Sequence, residues 1–450
     1  MKAGDDIRLV VRDLDPEGAG VGAISAHDPW EVHVFGGLPG EEISARVDGV
    51  STHRPVAWAT LHAIARPSAD RVSPACAAHG PCGGCVLQHY EVEAQRRWKE
   101  AGLRARLAGE GALADVPVSP MVASPRTLGY RNNSKLVAAR NRAGQLILGA
   151  YARRTHDVVD LGGCAITEAP LESVTTVLRD VLSDHGVQPY DEIRLTGFLR
   201  YVILRANAGG QVLVTLVTAA DSFPGGVSIV DALRARNPNI VGVVQNVNSS
   251  RGNAIFGAHE HVLSGAATIE DQIGAVRLRI SSRAFFQANR DIARAAYHAI
   301  AEAAELKATD RVVDAYAGVG GIALTLAPQA HSVIGIEEHA SAVRDAVYSA
   351  KLNQIGNARF VAGDVAEHLG AIGQADVVVL NPPRKGCAPE VLQRVAALRP
   401  RRIAYLSCAP DTLVRDLALL ATLSYRTRAI TPFDMLPHTT HIETLAVLSA

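Results

Sequence analysis

The sequence predicts an α/β protein whose C-terminal part is a doubly wound, Rossmann-like domain, preceded by two β-rich regions. Beyond about residue 290, near-continuous apolar runs of strand length alternate with helical stretches, which indicates a parallel sheet covered by helices. Before residue 66, short β-rich runs punctuated by Gly and Pro are typical of a small OB-like barrel. The 450 residues have room for several such domains.

We therefore expect three domains along the chain. They are a β-barrel over 1–66, a β-rich central domain over 67–280 and the α/β domain over 281–450. A charged amphipathic helix near 91–110 is predicted to pack on the α/β domain. Within the central domain, a hairpin is expected around Asn141 to Gly144.

The composition is that of an ordinary globular chain. Hydrophobic residues make up 48% and charged residues 20% of the sequence, and no apolar run is long enough to cross a bilayer. The start, MKAGDDIRLVV, lacks a signal-peptide core, so we expect a cytoplasmic monomer without a membrane partner. The net charge of zero neither supports nor excludes a nucleic-acid partner, because a basic face can exist within a neutral total.

Three of the six cysteines lie within ten residues of one another. The stretch CAAHGPCGGC contains Cys76, Cys82 and Cys85, and Cys164 follows 79 residues later. In a reducing compartment such clustering indicates a metal site rather than a disulfide framework. The spacing alone leaves zinc and an iron–sulfur cluster equally open.

A glycine turn between a predicted strand and helix is the candidate cofactor loop. In VVDAYAGVGGIALTLA, Gly318, Gly320 and Gly321 allow the backbone to turn tightly and to approach a ligand. Glu337 ends the next strand, where an acidic residue can bind ribose hydroxyls. The same pattern also passes as a dinucleotide motif, so the loop alone does not separate NAD from S-adenosylmethionine.

Other polar residues follow the next predicted strands. Because the carboxyl ends of parallel strands line one ligand crevice, we expect Asp314, Glu337, Asp364 and Asn381 to converge there. Asn381 can offer both a donor and an acceptor. Cys408 also stands at a strand end, in YLSCAPDTLVRD, where it is either a small apolar filler or a nucleophile.

Residues 126–156 carry seven Arg or Lys residues and no Asp or Glu, with Tyr130 and Tyr151 interleaved. Basic charge for phosphates with aromatic rings for stacking is suited to single-stranded or looped RNA. The predicted RNA contacts are Arg131, Lys135, Arg153 and Arg154. A solvated hairpin face is the alternative interpretation.

The combination of motifs resembles one known family. The cysteine pattern, FFQAN at 285–289, DAYAGVGG, NPPRKG, SCAPDTLVRD and FDMLPHTTHIET at 433–444 are similar to bacterial RNA (uracil-5-)-methyltransferases that carry an N-terminal TRAM barrel and an iron–sulfur cluster. The resemblance implies an RNA-binding barrel, S-adenosylmethionine as cofactor and a [4Fe-4S] cluster on the four cysteines. It also implies an RNA substrate, 23S rRNA first and tRNA second.

The resemblance also assigns site residues. Gln287, Tyr316, Glu337 and Asp364 would contact S-adenosylmethionine, together with the glycine loop and Asn381. Asn381 stands where the family usually has Asp, and Gly321 stands where many members have Asn.

Covalent catalysis at uracil needs a thiolate and a base. Cys408 would add to carbon 6 of the uracil, and Glu443 would remove the proton from carbon 5. His438 and His441 are weaker base candidates that could orient RNA or Glu443, and Cys387 is expected to be inert.

Three other functions remain open at this stage. An RNA 5-methylcytosine methyltransferase usually carries a second cysteine in the Pro-rich motif, where this chain has Asn-Pro-Pro-Arg. An iron–sulfur RNA-binding protein with an inactive transferase domain is a non-enzymatic alternative. An NAD-dependent enzyme would leave Cys408 and Glu443 unexplained.

Overall fold

A computed structural model describes residues 1–25, 28–252 and 254–450. The strands are β1 (Asp6–Leu14), β2 (Ala19–Ala23), β3 (Glu31–Phe35), β4 (Glu42–Val50), β5 (Val56–Arg66), β6 (Asn133–Arg140), β7 (Leu146–Tyr151), β8 (Val158–Asp160), β9 (Leu199–Ala206), β10 (Val212–Thr218), β11 (Ile240–Val247), β12 (His259–Gly265), β13 (Thr268–Ile273), β14 (Val276–Ser281), β15 (Arg311–Ala315), β16 (Ser332–Glu337), β17 (Ala358–Ala362), β18 (Val377–Leu380), β19 (Arg402–Ser407), β20 (Arg426–Phe433) and β21 (Glu443–Ser449). The helices are α1 (Val92–Ala108), α2 (Ala169–Asp184), α3 (Gly226–Arg236), α4 (Arg290–Ala304), α5 (Gly321–Leu326), α6 (Ala340–Leu352), α7 (Val365–Gly370), α8 (Pro389–Ala397) and α9 (Pro410–Thr422). In the described part of the chain, no helix is long and apolar enough to cross a membrane.

The chain forms two compact units. The first contains Met1–Lys99, Tyr151–Val159 and Leu436–Thr440, and the second contains Glu100–Ala150, Asp160–Met435 and His441–Ala450. The three domains expected from the sequence stay a prediction, since compactness divides the chain differently. Helix α1 lies where it was predicted, and its residues are shared between the two units.

The first unit is built around the predicted barrel. Strands β1 to β5 close in the order β1-β2-β3-β5-β4, and β3 pairs with β5 in parallel. Alternate residues of β1, such as Ile7, Leu9 and Val11, are buried inside, as the period of a strand requires. A smaller apolar cluster joins Leu87 and Tyr90, after the cysteine loop, to Leu14 and the start of α1.

The second unit contains the strands β12-β11-β10-β9-β6-β7, in this order, of a seven-stranded sheet whose last strand is β8. Strands β6 and β7 form the predicted hairpin. Two helices, α2 and α3, were not predicted from the sequence. They pack on this sheet through residues spaced three and four apart, such as Leu171, Val174 and Leu178 of α2.

The second sheet of this unit is the predicted doubly wound one. Its order is β17-β16-β15-β18-β19-β21-β20, so the chain starts in the middle and winds to both sides. The pairs among β15 to β19 are parallel, whereas β21 runs antiparallel to both β19 and β20. Buried residues of these strands form the core with α7, α8, α9 and the second half of α1.

Candidate active site

The carboxyl ends of the five parallel strands each carry a residue singled out from the sequence. Across the sheet, the order is Asp364 after β17, Glu337 at the end of β16, Tyr316 after β15, Asn381 after β18 and Cys408 after β19. Neighbouring strands lie about 4.8 Å apart, so these positions form one row. The winding direction changes between β15 and β18, which is where open α/β sheets bind ligands.

Two carboxylates of this row, Glu337 and Asp364, are held by backbone hydrogen bonds. The Gly318 N–H donates to Glu337 Oε2 at 3.0 Å, and the His339 N–H donates to Oε1 at 2.9 Å. Asp364 caps α7 by accepting from the Glu367 N–H at 3.0 Å. Glu337 is therefore fixed beside the glycine loop, with lone pairs left over for a ligand.

Two further features surround the glycine loop. Tyr316 has a φ of 66°, in the left-handed region that a non-glycine residue rarely adopts, which is typical of a functional turn. Gln287 is buried, and its carbonyl oxygen accepts from Asn132 Nδ2 at 2.8 Å. Asn289, two residues later, caps α4. The FFQAN motif thus leads directly into α4.

Asp314, inside β15, is a fully buried carboxyl group. Its Oδ2 accepts from the Ala323 N–H at 2.9 Å, and Oδ1 is buried without a hydrogen-bond partner among the described residues. Burial raises the pKa of Asp314 to about 7. The carboxyl joins the strand that precedes the glycine loop to the helix that follows it.

Cys408 lies at the junction of β19 and α9. It is partly exposed, whereas the preceding residue Ser407 is buried. Burial raises the pKa of the Cys408 thiol, and the negative charge of Glu443 adds to the shift. The positive charge and hydrogen bond of Arg384 act in the opposite direction.

Glu443 reaches Cys408 through the register of the last strand. In the antiparallel pair of β19 and β21, Ser407 lies opposite Thr444, so the next position along each strand brings Cys408 opposite Glu443. Glu443 is 5% exposed, and burial raises its pKa to about 8. A carboxylate with this pKa is a suitable base near neutral pH.

Arg384 was not given a role by the sequence analysis, although it lies in the NPPRKG motif. Its Nη2 lies 3.1 Å from His441 Nε2, and its carbonyl oxygen accepts from the Thr412 hydroxyl at 3.1 Å. Thr412 belongs to α9, the helix that Cys408 precedes. The loop that carries the guanidinium is thereby fixed to the nucleophile's own helix.

The second cysteine of this sheet is in a different environment. Cys387 is 3% exposed, and burial raises the pKa of its thiol to about 12. Its N–H donates to Asp416 Oδ2 at 2.8 Å, and the Tyr405 hydroxyl donates to the same oxygen at 2.6 Å. A buried thiol with so high a pKa is a poor nucleophile, which supports the expectation that Cys387 is inert.

His438 does not share the surroundings of His441. It belongs to the first unit, where Gln95 Nε2 lies 3.2 Å from its Nδ1 and its N–H donates to Gln95 Oε1 at 2.9 Å. His441, in the second unit, contacts Arg384. Of the two histidines suggested as orienting groups, the structure thus joins His441 to the residues around Cys408.

None of the four predicted metal ligands forms a disulfide in the described part of the chain. Cys76, Cys82 and Cys85 lie in the first unit, and Cys164 lies in the second, where its N–H donates to Glu172 Oε2 at 2.9 Å. Within residues 1–25, 28–252 and 254–450, no three His, Cys, Asp or Glu side chains are arranged so that they could hold a metal ion.

The predicted RNA contacts fall into two pairs. Arg153 and Arg154, in the first unit, lie over the Phe35 ring of the barrel, with the guanidinium carbons 3.9 and 5.1 Å from the ring centroid. Arg131 and Lys135 belong to the second unit, where the Lys135 ammonium lies 5.9 Å from the centre of the Tyr201 ring. Each pair combines cationic and aromatic groups.

Comparison with known proteins gives the family. The tRNA (uracil-5-)-methyltransferase family profile matches residues 372–450, and the methyltransferase small domain profile matches residues 282–397. An uncharacterized RNA methyltransferase of Geobacter sulfurreducens is 38% identical over 99% of this chain and 90% of its own length. One of Bacillus cereus is 35% identical over 98% of this chain and 96% of its own length. The chain belongs to the RNA methyltransferases.

A solved structure extends the likeness of this RNA methyltransferase to the whole chain. The Pyrococcus abyssi tRNA (uracil-54, C5)-methyltransferase, in complex with S-adenosyl-L-homocysteine, is 25% identical and superimposes with a TM-score of 0.78. The match covers 98% of this chain and 100% of the archaeal one. The α/β domain is thus a methyltransferase fold, and the domain of the uracil-5 family covers Cys408 and Glu443.

Proposed function

We propose that this RNA methyltransferase transfers a methyl group from S-adenosylmethionine to carbon 5 of a uridine in RNA, through a covalent adduct on Cys408. The observation that carries the proposal is the register that brings Glu443 opposite Cys408. The uracil-5 family domain over residues 372–450 supports uracil as the methylated nucleobase and carbon 5 as the methylated atom. Cys387, the one other cysteine in that domain, is buried within the hydrogen-bond network of Asp416.

The reaction needs a nucleophile first and a base last. The Cys408 sulfur forms a bond to carbon 6, and the electrons of the carbon 5–carbon 6 double bond move toward the carbon 4 oxygen. The guanidinium of Arg384 favours the thiolate that starts this step. S-adenosylmethionine supplies an electrophilic methyl group, which carbon 5 takes as the methyl–sulfur bond breaks and S-adenosylhomocysteine is left.

Glu443 then removes the proton from carbon 5. The electron pair of that carbon–hydrogen bond restores the double bond and expels the Cys408 thiolate. The enzyme returns to its first state when Glu443 releases the proton to solvent. A paired uridine cannot present carbon 6 to a thiol, so the base has to leave its stack, at a cost of roughly a few kcal/mol.

S-adenosylmethionine fits the glycine loop. The Gly318 position is open, because a Cβ placed there would meet no atom within 4 Å, and Glu337 is held beside it. We propose that Glu337 binds the ribose hydroxyls, with Tyr316, Gly318, Gly321, Asp364, Gln287 and Asn381 as further cofactor contacts. S-adenosylhomocysteine in the Pyrococcus abyssi structure supports this assignment.

We also propose that Cys76, Cys82 and Cys85 bind a [4Fe-4S] cluster, with Cys164 as the fourth ligand that the family resemblance implies. Four thiolates are suitable donors. Beside the loop, Gln88 Oε1 accepts from the Cys76 N–H at 2.7 Å, while Gln88 Nε2 and both ring nitrogens of His89 are buried without partners in the described part of the chain. Buried polar atoms without hydrogen-bond partners among the described residues, beside three clustered cysteines, support a bound group there.

The RNA is proposed to contact the barrel, as a TRAM domain, together with Arg131, Lys135, Arg153 and Arg154. Two substrates can be separated by experiment. Ribosomal RNA of the 23S class is the first candidate, and tRNA is the second, since it is named for the Pyrococcus abyssi enzyme and in the matching family.

A direct assay tests the proposal. Purified protein is incubated with methyl-labelled S-adenosylmethionine and either ribosomal RNA or tRNA from a strain that lacks this gene, and the nucleosides are analysed by mass spectrometry. We expect 5-methyluridine from one of the two RNAs and none with Cys408→Ala. Labelled 5-methylcytidine would contradict the base assignment, and methylation by Cys408→Ala would contradict the covalent mechanism.

A further inference from the structure

The backbone of Gly321 lies against the ring of Tyr297. A Cβ added at position 321 would be 2.8 Å from Tyr297 Cε2, 3.0 Å from its hydroxyl oxygen and 3.2 Å from Cζ. Real Cβ atoms do not approach other heavy atoms to within 3.0 Å, so a side chain at 321 would force the ring or the loop to move. Tyr297 is 8% exposed, so its ring has little room to turn away.

The neighbouring glycine is confined from another direction. Gly320 has a φ of 87°, and a Cβ there would be 2.9 Å from Phe360 Cζ. Two aromatic rings therefore contact the cofactor loop, Phe360 at Gly320 and Tyr297 at Gly321. The positive φ of Gly320 requires glycine there in any case. Position 321 begins α5, and a helical backbone conformation does not itself require glycine, so the Tyr297 ring is the obstacle to a side chain at 321.

Tyr297 also lies near two buried carboxyl groups, those of Asp314 and Glu443. It belongs to α4, which packs against α5, β19 and β21. Burial raises the pKa of the Tyr297 hydroxyl, and the negative charges of Asp314 and Glu443 raise it further. One side chain is thereby near the strand before the cofactor loop and near the carboxyl group opposite Cys408.

We propose that Tyr297 is a positioning residue whose ring fixes the position of the cofactor loop at Gly321. Tyr297 and Gly321 are then sterically coupled, because the ring occupies the space that a side chain at 321 would need. The inference rests on the proposed binding of S-adenosylmethionine at this loop. It accounts for the glycine at 321: the space that a side chain would need there is filled by the tyrosine ring.

The test is a double-mutant cycle read as affinity for S-adenosylhomocysteine by calorimetry. Gly321→Ala alone should weaken binding about tenfold or more, because overpacking a buried contact displaces the loop. In a Tyr297→Leu background the same change should weaken binding by less than about threefold, since leucine lacks Cε2, Cζ and the hydroxyl oxygen. Thermal unfolding of each variant confirms that the protein measured is folded.

Two matched variants distinguish relief of the Tyr297–Gly321 contact from a general loss of packing around the cofactor loop. Tyr297→Phe keeps Cε2 and Cζ, so Gly321→Ala should remain about tenfold weaker in that background. Phe360→Leu relieves the ring at Gly320 and should not rescue Gly321→Ala. Equal rescue by Leu and Phe at 297, rescue by Phe360→Leu, or an unchanged affinity of Gly321→Ala would each overturn the inference.

The wild-type measurement keeps the two proposals apart. A wild-type protein that binds no S-adenosylhomocysteine would overturn the proposed cofactor and this inference with it. A wild type that binds it, with no rescue by Tyr297→Leu, would overturn the role of Tyr297 alone and leave the proposed function standing.

Discussion

The cysteine loop of the first unit and the surroundings of Cys408 in the second use the same functional group in opposite ways. Around Cys408, the protein itself supplies the partners: Glu443 by strand register and Arg384 by a loop tied to α9. In the loop Cys76–Cys85, the thiols are close in sequence, yet no three His, Cys, Asp or Glu side chains of the described residues are arranged to hold a metal ion, and Gln88 Nε2 and both ring nitrogens of His89 have no hydrogen-bond partner there. A catalytic thiol needs a preorganised site, whereas a ligating thiol can receive its geometry from the group it binds.

The largest expected effect is on the adduct at Cys408. Glu443→Gln should add the thiol and transfer the methyl group, and then stall, because the carbon 5 proton has no acceptor. We expect a covalent protein–RNA species that survives denaturing gel electrophoresis and contains the Cys408 peptide. The matched control is Cys387→Ala in the Glu443→Gln background, which should still trap the RNA. An adduct that maps to Cys387 would remove the distinction between the two cysteines of the sheet.

Metal content tests the other half of the comparison. Protein purified without oxygen should be brown and contain about four irons per chain, the content of a cubane cluster held by four thiolates. Cys82→Ser should lose the iron and the colour, whereas Cys387→Ala should keep both. Colourless, active protein with stoichiometric zinc would show that the loop binds a different ion.

The raised pKa of Glu443 predicts a dependence of stability on pH. The carboxyl group has a pKa of about 8 in the folded protein against an ordinary 4.5. The folded state therefore holds a proton that the unfolded state releases, and this contribution is complete below 4.5 and lost as pH rises through about 8.

Glutamine does not titrate, so Glu443→Gln isolates this contribution. Its free energy of unfolding, measured by urea denaturation, should increase relative to that of wild type from pH 5 to pH 8 by on the order of a few kcal/mol, so the variant becomes the relatively more stable protein. A difference between the two proteins that does not change with pH would mean that Glu443 titrates normally.

The smallest effect is expected at the barrel. If Arg153 and Arg154 meet phosphates, changing both to Ala should reduce the slope of log affinity for RNA against log salt by about 1.4, the value for two contacts to a single strand. Arg140→Ala with Arg142→Ala, on the β6–β7 hairpin, removes the same charge as a control and should leave the slope unchanged. If the slope for the Arg153 and Arg154 double variant equals that for the Arg140 and Arg142 double variant, the basic stretch is a solvated surface without specific phosphate contacts at Arg153 and Arg154.

The row of site residues was predictable because strand ends follow from hydrophobic patterns. Asp364, Asn381 and Cys408 each come directly after an apolar run, and the geometry of a parallel sheet places them at one edge. The opposition of Glu443 and Cys408 was accessible only through the family resemblance. It depends on pairing between strands that are far apart in sequence, and local patterns do not contain that register.

Tyr297 shows where the sequence was uninformative. On α4 it reads as one more residue of an amphipathic helix face, and nothing local distinguishes it from core. Helices α2 and α3 were not predicted for a related reason. They lie between strands rich in β-branched residues, so the stretch as a whole has the composition of a β-rich region. Arg384 belongs to the NPPRKG motif, and its proposed role depends on its charge and hydrogen bond beside Cys408, which the local sequence does not contain.

The antiparallel pairing of β21 with β19 has a consequence for how this enzyme can change over evolutionary time. Successive residues of a strand face opposite sides, so a one-residue deletion that shifts the pairing of β21 with β19 would turn the carboxylate away from the thiol while leaving every amino acid of the site in the gene. Point substitutions at exposed positions of these strands do not have that effect. We therefore expect stronger selection against insertions and deletions in these strands than against substitutions. Homologues should differ in the amino acids of this segment much more than in its length.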